Sequence, residues 1–266
     1  MRGIEIKSPR DIERMRVAGR IVATVLKEVM EIAAPGMTTA DLDAHAERRC
    51  KDFEVIPAFK GYGGFPACLC TSVNEEVVHG IPSRKKVLRD GDVVKVDFGA
   101  IYQGFHGDSC ITIGLGNVTP EAQKLIEVAE EALMRGIAKV KQGILLQEVS
   151  GTIQDYVEAY NFSVVRQYVG HGVGRKLHEA PQVPNFRTRE LGNPRLKAGM
   201  TLAIEPMVNV GSYDTRLLED KWTVVTVDGK LSAQFEHTVL VTREGHEILT
   251  DRTKVDRATM KTVLVA

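Results

Sequence analysis

VVKVDFGAIYQGFHGDSC, Val93–Cys110, reads as a β-hairpin: an apolar run, a turn signal at Gln103-Gly104, then a second alternating run. Side chains alternate between the faces of a strand, which puts Asp97, Gly99 and Ile101 on one side. A two-residue turn at Gln103-Gly104 sets Gly99 opposite Asp108 and Asp97 opposite Cys110. In that register Asp97 and Asp108 are diagonal neighbours on one face, about 5–8 Å apart. Gly99 adds no side chain between them and is expected to leave room for a bound group. Two carboxylates on a buried face repel each other and lose hydration, and a cation between them relieves both. Taken alone, the stretch reads more readily as two solvated aspartates beside a turn. The rest of the chain reverses that reading.

The chain has 266 residues, 43% apolar and 26% charged, with 35 basic and 35 acidic side chains. Those proportions suit a globular enzyme and give no electrostatic footprint for nucleic acid or a membrane surface. The basic cluster Arg84-Lys85-Lys86…Arg89 reads as a solvated loop or a local docking patch. No apolar run is long enough to span a bilayer, and MRGIEIKSPR lacks the apolar core of a signal peptide. Cys50, Cys68, Cys70 and Cys110 match neither a zinc ribbon nor a CxxC redox motif, so reduced thiols in a cytoplasmic protein are expected. Cys68 and Cys70, two residues apart, are expected on one face of a strand.

Ser8-Pro9-Arg10-Asp11 carries the signals of a helix start, and Ile12, Met15, Ala18, Val22, Val25, Leu26 and Val29 follow at helical spacing up to Pro35-Gly36. Thr38 or Thr39 caps a second helix with Leu42 and Ala46 on its apolar side. Strand-like sequence begins near Val55 and is interrupted by Gly61–Gly64. After the hairpin, Thr119-Pro120-Glu121 opens a long helix expected to run to Gln142-Gly143. A shorter one lies near Gln147–Tyr160. Strands are then expected at Phe162–Val169, Met200–Val208 and Ser232–Val241.

This order repeats. Leu88–Asp97 answers to Leu196–Glu205 without a gap, and His79-Gly80-Ile81-Pro82 to His178-Glu179-Ala180-Pro181. Asp97 falls on Glu205, and Asp108 is matched more loosely by Glu236 in QFEHT. The repeat predicts a single α+β domain of two half-domains, about 8–115 and 119–250, related by a pseudo-two-fold axis around a shared sheet. Their acidic strands would converge. Asp97, Asp108, Glu205 and Glu236 in one cavity carry up to four negative charges, which two divalent cations balance. Oxygen donors with an added imidazole suit Mn, Fe, Co or Zn. His171, between Gly170 and Gly172, supplies the imidazole, and its glycines permit close backbone approach. A two-metal site polarises a carbonyl and acidifies water, which is hydrolytic chemistry without a protein nucleophile. GHGVG lacks the spacing and the Lys-Ser/Thr ending of a phosphate loop. His45, His106, His237 and His246 read as structural, with His237 facing away from Glu236 on its strand.

The set VDFGAIYQGFHGDS, YVGHGVGRKLHEAP, LAIEPM and FEHT resembles the methionine aminopeptidase family, type I, bacterial form (subfamily A of peptidase family M24), from about Ser8 to Thr250. The resemblance implies the pita-bread (creatinase/aminopeptidase) fold, with duplicated half-domains around a curved antiparallel sheet and helices on its outer face. It implies a metallo-exopeptidase with two divalent ions that removes the initiator methionine when the second residue is small. Asp97 would bind one ion, His171 and Glu205 the other, and Asp108 and Glu236 both. Glu205 would also shuttle protons, His178 would stabilise the oxyanion, and His79 would contact the scissile nitrogen. The methionine pocket maps to Tyr62, Phe65, Cys70, Leu177 and Trp222. Leu177 departs from the aromatic residue more usual in the family. The implied partners are peptide and nascent-chain N-termini, with a transient ribosome contact among them; a cytoplasmic monomer is expected. Two other readings stand beside this one. A proline-specific aminopeptidase shares the fold but usually carries an extra N-terminal domain, and an inactive binding homologue would have lost ligands that are all present here.

Overall fold

The computed structural model describes residues 3–255. The chain forms α1 (Pro9–Ile32), α2 (Thr39–Asp52), β1 (Ile56–Pro57), β2 (Leu69–Val73), β3 (Glu76–Val78), β4 (Val93–Tyr102) and β5 (Phe105–Gly114). There follow α3 (Pro120–Ala138), α4 (Leu146–Glu158), β6 (Ser163–Val164), β7 (Gly170–Gly172), β8 (Glu179–Val183), β9 (Thr201–Ile204) and β10 (Met207–Asn209). Strands β11 (Thr215–Leu217), β12 (Val224–Thr226), β13 (Ser232–Gln234), β14 (His237–Val241) and β15 (His246–Ile248) complete it.

Local sequence explains the helix starts. Ser8 and Thr38 each accept the backbone N–H three residues on, and Asp11 and Asp41 return the bond to the cap. Such a cap contributes about 1 kcal/mol. The helix α3 stops at Ala138, ahead of Gln142-Gly143; Val140 stays buried, held by a bond from its N–H to the Ile137 carbonyl. The hairpin has the expected register, with Asp97 opposite Cys110 and Gly99 opposite Asp108. Gln103 and Gly104 have φ of 47° and 80°, the left-handed pair that a tight hairpin turn of matching twist requires.

The expected curved sheet is divided into ladders of three to five strands, and each pairing between the named strands is antiparallel. The stretch Met200–Val208, read as one strand, is broken at Glu205-Pro206, and Ser232–Val241 is broken at Phe235-Glu236. Pro206 has no N–H to give a ladder. On either side of the breaks Ile204 faces His237 and Met207 faces Gln234, a single register that sets Glu205 opposite Glu236. The two acids thus lie where the chain passes from one ladder into the next. Of Phe162–Val169 only Ser163–Val164 pairs as a strand.

Two apolar cores back these ladders. In one, Val22, Val25 and Leu26 of α1 and Leu42 of α2 pack on Leu69, Val96, Phe98 and Ile111. In the other, Leu125, Val128 and Leu133 of α3 and Val149 and Ile153 of α4 pack on Leu202, Ile204 and Val239. Each buried side chain of this size contributes roughly 1.5–3 kcal/mol. The helices therefore cover one face of the sheets, and the acidic strands meet on the other. Cys68, expected to share a face with Cys70, precedes β2 and packs in the first core, while Cys70 joins a separate cluster with Phe65 and Leu177.

Candidate active site and metal centre

The hairpin β4–β5 brings Asp97 and Asp108, β7 brings His171, and the two ladder breaks bring Glu205 and Glu236. All five line one cavity of about 290 Å³. Ligand atoms of Asp108, His171 and Glu236 lie within 4.8 Å of one another. His171 Nε2 is 3.5 Å from Glu205 Oε1 and 3.8 Å from Asp108 Oδ2. Asp97 lines the same wall, opposite Cys70 on β2, but outside the tight group of three.

His171 is placed by its glycines. A Cβ on Gly170 would stand 2.3 Å from the Ala203 carbonyl oxygen, and one on Gly172 2.3 Å from that of Ala180. Only side-chain-free residues let β7 lie this close between β8 and β9. The room expected over Gly99 is not open: a Cβ there would meet Ala58 Cβ and Phe59 Cε1, each at 2.9 Å. The Phe59 ring fills the gap beside the acids and lines the cavity. Phe59 was not among the residues singled out from the sequence. Nothing in AFKGYGG distinguishes it, because the space it fills belongs to a strand forty residues away.

The site's electrostatics favour a bound cation. Burial, then the neighbouring carboxylates, push Asp97, Glu205 and Glu236 well above the usual carboxylate range, and burial raises Asp108 to about 7. Asp97 Oδ1, Asp108 Oδ1 and Glu236 Oε1 are buried without a hydrogen-bond partner among the described residues. Buried polar atoms are nearly always satisfied. His171 Nδ1 lies 2.9 Å from the Gly172 carbonyl, to which it can only donate. Its Nε2 therefore turns a lone pair toward Glu205 and Asp108, and burial holds the ring neutral, down to about 3. Lone pair facing carboxylate is repulsive unless a positive ion lies between, and Nδ1 bonded to a carbonyl is the arrangement of a metal-ligating histidine. The residues present thus fit a divalent metal of mixed oxygen and imidazole ligation.

The remaining expected residues line the same cavity. Tyr62 Oη is 2.7 Å from His178 Nδ1, and the His171 and His178 rings are 4.2 Å apart. Phe65 and Trp222 meet edge to face at 5.1 Å, and Leu177 and Cys70 close the wall. Burial beside Asp97 and Asp108 drives the Cys70 thiol well above its usual value, so it remains a thiol and no nucleophile. His79 sits at φ +59°, rare for a residue with a Cβ, with its ring edge-on to Tyr168 at 5.9 Å and to Trp222 at 6.4 Å. Strain of this kind is kept where surrounding packing enforces it. Burial, then His178, lowers His79 to about 4. The other histidines have structural partners: His45 on Glu28, His106 on the Gly174 carbonyl, His237 on Thr250 and His246 on the Val140 carbonyl. His237 faces away from the cavity, as expected.

The cavity gathers four carboxylates and an imidazole from antiparallel strands and the breaks between them, and the chain belongs to metallopeptidase family M24, whose profile matches residues 13–243. Among its relatives it is 53% identical over 244 residues to methionine aminopeptidase 1 of Bacillus subtilis, covering 92% of this chain and 98% of that one. It is 48% identical over 254 residues to the methionine aminopeptidase of Escherichia coli K12, covering 94% of each. The crystal structure of methionine aminopeptidase from Thermotoga maritima superposes with a TM-score of 0.91 at 50% identity, over 93% of this chain and 99% of that one. A prolidase from Pyrococcus furiosus shares the fold at a TM-score of 0.73 and 24% identity; the match covers 95% of this chain and 66% of that one. The fold is the pita-bread fold of these neighbours.

Proposed function

We propose that the chain is a type I methionine aminopeptidase, releasing the N-terminal methionine of peptides and nascent proteins whose second residue is small. The observation that carries this is one cavity lined both by five ligand-type side chains and by Phe59, Phe65, Cys70, Leu177 and Trp222. The charged groups suit the scissile amide and the apolar ones an unbranched thioether. Asp97, Asp108, His171, Glu205 and Glu236 would hold two divalent ions (Co, Mn, Fe or Zn), with Asp108 and Glu236 serving both. When bound, such a pair supplies Lewis-acid polarisation of the carbonyl and acidifies a water.

The chain's own groups do the rest. Glu205, whose carboxyl burial and Asp108 hold high, takes the attacking water's proton and returns it to the leaving nitrogen. Gln234 Nε2 donates to Glu205 Oε2 at 3.2 Å and fixes its orientation. Tyr62 Oη shares a hydrogen bond with His178 Nδ1; in the tautomer where the hydroxyl donates, His178 would carry its proton on Nε2 and present it to the developing oxyanion. His79, neutral above about pH 4, contacts the scissile nitrogen. We also propose that residues 8–115 and 119–250 are pseudo-repeats within a single domain, each contributing part of the cage. The four cysteines, all buried and unbridged, agree with a reducing cytoplasm; among the described residues no helix is long and apolar enough to cross a membrane.

Metal-loaded protein should cleave Met-Ala-Ser, leave Met-Lys peptides intact, and act poorly on X-Pro peptides. Preferential hydrolysis of the X-Pro bond would refute the assignment in favour of the proline-specific reading.

A further inference from the structure

We propose that the hydroxyl of Thr238, aided by those of Ser109 and Thr112, is a positioning device that sets the distance between Asp108 and Glu236. The inference rests on the reading above, in which those two acids share ions. Among the described strands β5 is paired in a ladder with β4 alone. Its other edge meets the β13–β14 segment, and there hydroxyls take the place of a strand partner.

Thr238 Oγ1 donates to the Asp108 carbonyl at 2.8 Å and accepts from the Asp108 N–H at 3.1 Å. Thr112 Oγ1 does the same for Gln234, donating to its carbonyl at 2.6 Å and accepting from its N–H at 3.0 Å. Between them Ser109 Oγ donates to the Glu236 carbonyl at 2.5 Å, and the Glu236 N–H donates to the Cys110 carbonyl at 3.0 Å. A hydroxyl that both donates and accepts reproduces what a facing peptide group offers. Its oxygen, close to its own backbone, draws the two chains together more tightly than a longer side chain could. Thr238 and Ser109 are wholly buried, so water cannot substitute for either.

Each clasp therefore ends on a residue of the cage or on one that holds it. Thr238, two residues beyond Glu236, grips both backbone groups of Asp108. Thr112 grips Gln234, whose amide holds Glu205. Arg252 Nη1 donates to Ser109 Oγ at 3.2 Å and directs that hydroxyl's proton toward Glu236. Thr238 touches no substrate; it acts through Asp108.

The test is Mn2+ titration calorimetry on ion-free protein, with a thermal melt of each ion-free sample. Thr238→Val keeps the shape and removes the hydroxyl. It should weaken Mn2+ binding about 10–100-fold, the range for groups that orient metal ligands. Thr238→Ser should restore binding to within about threefold of wild type. A purely structural role would lower the melting temperature of both variants and leave their Mn2+ affinities equal. If Thr238→Val does not fold, Ser109→Ala replaces it and should weaken binding at least about fivefold. A folded Thr238→Val or Ser109→Ala that binds Mn2+ as tightly as wild type overturns the inference. Wild-type protein that binds no Mn2+ overturns the metal reading beneath it, so the two failures are distinguishable.

Discussion

Replacing Asp108 by asparagine should stabilise the ion-free protein at alkaline pH while destroying its affinity for metal. Burial raises the Asp108 carboxyl to about 7, against about 3.9 in an unfolded chain. Between those values the folded protein retains a proton that the unfolded chain has released, so stability falls as pH climbs through the interval. Three pH units at about 1.4 kcal/mol each give about 4 kcal/mol lost by pH 8. Asparagine has the same outline and no charge to bury, and its amide can donate to the neighbouring carboxylates. The advantage of Asp108→Asn should grow from about 1.5 kcal/mol at pH 5 to about 4 kcal/mol at pH 8. For a chain of this size, that corresponds to a melting temperature higher by about 10 °C at pH 8. Saturating Mn2+ should invert the order, because only the wild-type cage gains binding energy in the folded state. Thermal melts of chelator-treated protein at the two pH values, repeated with Mn2+, measure all of this. An ion-free variant no more stable than wild type at pH 8 would show that Asp108 is not held as a strained, half-neutral acid.

Two further changes probe the geometry. His178→Ala should lower kcat on Met-Ala-Ser about 10²–10³-fold with little change in KM, the signature of a lost oxyanion donor; a change confined to KM would assign His178 to ground-state binding. Gly172→Ala forces a Cβ to 2.3 Å from the Ala180 carbonyl oxygen. It should destabilise the protein by about 2 kcal/mol or more, read by urea denaturation, and a neutral substitution would show that β7 and β8 can separate.

How much of this is legible in the chain depends on how local each cause is. The hairpin register follows from two turn residues and the alternation of the residues flanking them, and both expected pairs, Asp97 with Cys110 and Gly99 with Asp108, are met. The capping boxes at Ser8 and Thr38 are similarly local. The residues of the cage were legible because their motifs are jointly specific, and the structure brings them to one cavity. The strand breaks were less visible. Pro206 marks one of them, but nothing in Gln234-Phe235-Glu236 announces the other, which is imposed by the facing strand. Gly99 illustrates the limit most clearly. Its lack of a side chain reads as room for a bound group, whereas the space is taken by Phe59, brought from another segment by tertiary packing. The hydroxyls of Ser109, Thr112 and Thr238 look like ordinary strand residues until the opposing backbone is known.

The cage is assembled from segments made far apart in time. Asp97 and Asp108 leave the ribosome well before Glu205 and Glu236, and a growing polypeptide that has not reached Glu236 lacks the acid facing Glu205 across the break. Such a partial product has an incomplete cage, so activity would arise only after nearly the whole polypeptide has emerged and the second acidic strand has joined the first.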